Sequence, residues 1–243
     1  MQTTHSQSDS EGHKPAFSLV EMLVVIAIMS VLMTAGSIGI SSMSGKGVSS
    51  GVATAEAVFD EARTTAIGRN LRSCVLVAEH LTSNPADDLR RILVAVEATD
   101  ADGSATEKTG VATPSWVLSS RGAVLPDQTF FSKVYSKKDS INNAALASPV
   151  TLTNAKPAYA GSYYIYQFNT QGICTTPGAS FIIGGGARNL TKSSVEAPPK
   201  VTASTKRDFG GFVIWGNGRT SVYRSPDQMG DSGPKALKAN DPF

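Results

Sequence analysis

From Met22 to Ile40 the chain carries no charged side chain, and Leu23 to Met29 is unbroken hydrophobe. A carboxylate, Glu21, stands at the head of this run. Placing such a group in a bilayer core costs roughly 2.5–3.5 kcal/mol on insertion scales, so a chain that keeps it there has a use for it. Residues 1–16, MQTTHSQSDSEGHKPA, are polar, and the apolar segment begins abruptly at Phe17. A secretory signal has its apolar stretch before a small-residue cleavage site. Here the small residue, Ala16, precedes the apolar stretch. Cleavage after Ala16 would therefore leave the hydrophobic segment on the mature protein. The 24 residues from Phe17 to Ile40, at about 1.5 Å each, are long enough to cross a ~30 Å hydrocarbon core. Lys14, just outside the span, favours a cytoplasmic leader.

The stretch Ala16-Phe17-Ser18-Leu19-Val20-Glu21 and its apolar continuation resemble the class III signal of type IV prepilins and pseudopilins. The resemblance implies cleavage between Ala16 and Phe17 by a prepilin peptidase, then N-methylation of Phe17. Ala16 departs from the glycine usual in that family, but is also small. Glu21 becomes the fifth mature residue, where the family has its glutamate. There it implies assembly: the carboxylate pairs with the amino terminus of a neighbouring subunit, and opposite charges attract more strongly in a low-dielectric bundle than in water.

Beyond the Gly/Ser-rich stretch SIGISSMSGKG, apolar residues recur at Val48, Val52, Ala55, Phe59, Ala62 and Ala66, the stripe of an amphipathic helix. Glu56, Asp60, Glu61 and Arg63 fall on other faces. The pattern predicts one helix of about fifty residues, roughly 75 Å long, with its middle weakened by Gly36, Gly39, Gly45 and Gly47. A bend or melted section is expected there rather than a break into two domains. After Gly68 and Asn70 the pattern turns to strands at 71–78, 91–98, 115–120, 162–168, 180–185, 211–216 and 219–224. The last two flank Gly216-Asn217-Gly218 as a hairpin. The polar stretches 98–114, 136–161 and 185–208 are expected to be long loops.

The expected fold class is α+β, a long N-terminal helix packed on an antiparallel β-sheet domain of pilin-like form. Its parts are a leader (1–16), a transmembrane helix half (17–40), an amphipathic helix half (41–70), a β-rich globular domain (71–224) and a disordered tail (225–243). The segments DEARTTAIGRNLRSCVLV, Phe168-Asn169-Thr170-Gln171-Gly172 and GFVIWGNGRTSVYR resemble the H class of minor pseudopilins. That class includes the type II secretion tip-complex pseudopilin and FimT-type minor pilins.

The chain offers little material for catalysis or cofactors. His80 is the only histidine left after processing, and Cys74 and Cys174 stand a hundred positions apart with no CxxC partner. The two cysteines permit one bridge, or two separately buried thiols. Asp87-Asp88 beside Arg90 and Arg91 reads as a solvated turn. Gly184-Gly185-Gly186 lacks the ending of a phosphate loop and reads as a flexible loop entrance. Asn189-Leu190-Thr191 fits a glycosylation acceptor that is common by chance. The sequence implies no metal or cofactor.

The net charge of +2, or +3 without the leader (21 basic minus 18 acidic residues), does not argue for a polyanion partner. The sequence expectation is a non-enzymatic minor pseudopilin of a type II secretion-like system, in the inner membrane by a single pass with its C-terminal domain in the periplasm. The partners implied by resemblance are other pseudopilins, the prepilin peptidase and an inner-membrane assembly platform. Two alternatives stand. One is a structural surface pilin. The other is a FimT-like minor pilin of DNA uptake, contacting nucleic acid through Arg219 and Arg224, although Gly218-Arg219-Thr220-Ser221 lacks the second arginine of that family's Gly-Arg-x-Arg element.

Overall fold

The structure is a computed structural model that describes residues 19–41, 43–97, 116–152, 156–202, 209–223, 228 and 241–243, with the side chains of 31–46 outside that description. Helix α1 runs Leu19–Ser41 and helix α2 runs Met43–Arg69. Where one helix of about fifty residues was expected, two helical stretches are described on either side of Ser42, which lies outside the described residues, and the chain divides there into two units, Met1–Ser42 and Met43–Phe243. The division falls in the glycine- and serine-rich stretch, where helix propensity is lowest. Among the described residues no helix is long and apolar enough to cross a membrane. Half of the expected span over 17–40 falls on residues whose side chains, or whose whole placement, are outside the described set.

Among its described residues the second unit, Met43–Phe243, holds twelve strands. They are β1 (Ser73–Leu81), β2 (Arg91–Glu97), β3 (Trp116–Leu118), β4 (Ala123–Val124), β5 (Thr129–Phe131), β6 (Lys137–Asp139), β7 (Ala144–Ala145), β8 (Val150–Leu152), β9 (Gly161–Phe168), β10 (Ala179–Gly185), β11 (Phe209–Ile214) and β12 (Thr220–Val222). A six-stranded sheet has the order β3-β2-β1-β9-β8 with β4 beside β2. A four-stranded sheet runs β12-β11-β10-β5, and β6 pairs β7. Every strand pairing is antiparallel among the described residues.

Helix α2 ends where the sequence changes character. Asn70 takes a left-handed conformation at φ 53°, and Leu71 N–H bonds back to Ala66 O at 3.3 Å. Asparagine tolerates that conformation at a helix C-terminus better than most residues. The apolar stripe Val48, Val52, Ala55, Phe59, Ala62 and Ala66 is buried and joins residues of both sheets in the main core. Phe59 is its centre, with ring centroids 5.2 Å from Tyr166, 6.4 Å from Phe168, 5.4 Å from Phe181 and 5.0 Å from Phe212, all edge-on.

The first sheet is buried on both faces, which explains why β1 and β2 read as continuous apolar runs rather than as alternation. Val75, Val77, Ile92, Val94, Tyr166 and Phe168 face the main core. Cys74, Leu76, Ala78, Leu93, Ala95 and Tyr163 make a second cluster.

All seven expected strands are present, shifted by up to three residues at their ends. The stretch 136–161 is not only loop: β6, β7 and β8 lie in it. These strands, KKD, AA and VTL, are two or three residues long, too short for any periodicity to show them. The expected loop at 98–114 lies outside the described residues. The expected disordered tail meets a different outcome at its end, where Phe243 is buried in the main core. Of residues 224–240, only Gln228 is described.

Candidate functional site

Within α1, the large apolar side chains from Leu19 to Met29 are 44–82% exposed. They lie all round the helix, because nine of the eleven residues from Leu19 to Met29 are large and apolar. The part of the helix whose side chains are described is therefore apolar on every face. Glu21 is exposed in the first turn and is the only charged residue of the helix. A carboxylate there also meets the positive end of the helix dipole. Ala16 and Phe17 lie outside the described residues, so the cleavage and methylation positions rest on sequence.

Three separated stretches singled out by resemblance meet in space at the C-terminal half of α2. Asn169 Oδ1 accepts the N–H groups of Gln171 at 3.0 Å and Ile173 at 2.9 Å, which folds Phe168–Gly172 into a tight turn. In the hairpin, Gly218 N–H bonds Trp215 O at 2.8 Å and Trp215 N–H bonds Arg219 O at 2.9 Å. Arg63 Nε donates to Asn217 O at 3.2 Å, and Thr220 Oγ1 donates to Glu56 Oε1 at 2.8 Å. Gly172 and Gly218 have φ of +71° and +75°. A Cβ on Gly218 would lie 2.1 Å from Gly172 O, and one on Gly172 would lie 2.7 Å from Ile67 Cδ1. Only glycine satisfies both the conformation and the space. Glu56 and Arg63 thus anchor the hairpin on the helix, a role that helical periodicity could not assign. Arg219 is exposed on this turn, and Arg224 is outside the described residues.

Asp87-Asp88 is corrected from a solvated turn to a buried one. The Asp88 side chain has no exposure. Its Oδ1 accepts Leu81 N–H at 2.7 Å, and its Oδ2 accepts Ser194 N–H at 2.9 Å and lies 3.1 Å from His80 Nδ1. The fully buried side chain of Arg188 brings its guanidinium to 3.8 Å from the same oxygen, and donates from Nη1 to Asp88 O at 3.0 Å. Burial pushes the Arg188 guanidinium below its ordinary pKa, and the Asp88 charge opposes that shift. Asp87 pairs with Arg91. The acidic turn therefore pins residues 188–194 of the third expected loop to the end of β1. Asn189 and Thr191 remain exposed on that loop. Gly184 and Gly185 belong to β10 and are not a flexible entrance.

Cys74 and Cys174 are both free and both buried. They belong to different clusters, Cys74 to the second and Cys174 to the main core. Burial raises both thiols above the usual cysteine range, Cys74 well above it. The thiolate is the reactive form, so both should resist alkylation in the folded protein. Both should label fully after denaturation without reductant. A requirement for reductant, read by mass spectrometry of the alkylated chain, would establish a bridge instead. Among the described residues no group of three or more histidine, cysteine or acidic side chains could hold a metal ion.

Compared with known families, residues 13–37 match the prokaryotic N-terminal methylation motif. The match covers 25 of the 243 residues and supports a likeness of this N-terminal segment to type IV pilins and pseudopilins. No curated protein and no solved structure matches the chain.

Proposed function

We propose that the chain is a non-enzymatic minor pseudopilin, anchored by residues 17–40 in the inner membrane and assembled through Glu21 into a short periplasmic filament of a type II secretion-like system. The observation that carries this reading is α1, whose large apolar side chains from Leu19 to Met29 are exposed on all sides and whose single charge lies four residues after the Phe17 of the methylation motif. Neighbouring α1 helices and lipid would cover the apolar surface. The amino group of a neighbouring Phe17 would offset the cost of burying Glu21. The buttressed hairpin and the 168–172 turn support the H-class subclass, since the three stretches that carry the resemblance are packed together at one end of α2.

N-terminal mass spectrometry of the membrane fraction tests the reading. The expected mature chain begins at an N-methylated Phe17 and has 227 residues (243 minus 16). A cut after Ala35, or release of the domain into the soluble fraction, would overturn it.

A further inference from the structure

Three residues after a long polar stretch are held like a bound peptide. Phe243 N–H donates to Pro199 O at 3.1 Å, and Asp241 O accepts Val201 N–H at 3.0 Å. Between them Pro242 forms an antiparallel bridge with Lys200, which is itself bridged to Ala187 on its other side. Proline costs nothing in this position, because both hydrogen bonds come from its neighbours. The Phe243 ring stands edge-on to Phe209, 5.0 Å between centroids. Gly184 and Gly186 form the floor beneath it: an added Cβ would lie 2.8 Å and 2.6 Å from its ring carbons. The glycines leave a slot the size of one aromatic ring, and the 199–201 backbone beside it supplies a strand edge.

We propose that this slot is a peptide-binding site for an extended Pro-Phe segment, filled in cis by Asp241–Phe243 and open in trans to the same segment of a second copy. The seated segment itself defines the ligand chemistry: two backbone hydrogen bonds from a strand edge and one aromatic side chain, the pattern of strand-addition recognition. Residues 224–240, 17 in number, span at most about 56–61 Å when extended, enough to reach an adjacent domain. Exchange in trans makes the same contacts as closure in cis, so effective concentration alone decides between them. Copies held side by side would favour exchange, and dilute copies would close on themselves. The proposal does not depend on the pilin reading.

Two measurements on the full chain in detergent test it. A fluorescent peptide of residues 238–243, KANDPF, should bind the Phe243→Ala variant at least tenfold more tightly than the unaltered chain, whose slot is filled. The same peptide with its phenylalanine replaced by alanine should not bind. Equal binding to both chains, or none to the variant, would overturn the site. The second measurement leaves Phe243 in place. Lys200→Cys and Pro242→Cys put thiols on antiparallel partners, within the usual range for a cross-strand disulfide. The separately purified single variants, mixed at rising concentration with mild oxidant, should form a disulfide between unlike chains. The buried native thiols should stay out of it. An intramolecular bond in the double variant with none between mixed single variants would overturn exchange.

Discussion

On the proposed assembly role, replacing Glu21 with leucine should leave the chain in the membrane and remove it from the filament. The span becomes more apolar, so membrane retention should not fall. The neighbour's amino group, however, would be buried with no partner. Losing one member of a buried ion pair typically costs 3–5 kcal/mol, which is on the order of 10²–10³ or more in an association constant. Co-purification with partner pilins after mild cross-linking measures the effect, and membrane fractionation controls for insertion. Glu21→Asp keeps the charge on a shorter arm and should fall between. Undiminished co-purification of Glu21→Leu would remove the assembly role.

The second large effect is expected at Asp88. Substitution by alanine removes the acceptor for two buried N–H groups, Leu81 and Ser194, and leaves the buried Arg188 side chain without its counter-charge. The expected loss is about 3–5 kcal/mol of stability, by urea denaturation of the folded domain. The loop at 188–194 should also open, giving trypsin access to Arg188, whose side chain is fully buried in the unaltered chain, whereas Lys192 is exposed already. Asp88→Asn retains an acceptor oxygen and should cost less. Full stability with an unchanged tryptic pattern in Asp88→Ala would show that the carboxylate does not pin the loop.

These two carboxylates differ in how they could be found. Glu21 is conspicuous because the surrounding residues are uniformly apolar, so one charge breaks the pattern. Asp88 sits in SNPADDLRR, where proline, two acids and two arginines look like any solvated turn. Its partners Arg188 and Ser194 are a hundred or more positions away. Nothing local marks a turn that a distant loop will cover, since burial of a charge depends on what folds over it.

The sequence by itself determined the N-terminal motif by residue type, the amphipathic stripe of α2 by its periodicity, and the α+β class and the existence of seven strands by short apolar, β-branched runs bounded by turn residues. It also indicated the Gly216–Gly218 hairpin, whose turn needs a residue type that few others can replace. Only the tertiary structure decided which face each strand buries, since a sheet covered on both sides leaves no alternation to read. Tertiary structure likewise joined Arg63 to Asn217 and Asp88 to Arg188, and placed Phe243 over Gly184 and Gly186. Each of those contacts links residues about 57 to 154 positions apart. Their strength comes from burial and from close approach of the backbone, and neither property belongs to any one segment until the others have packed around it.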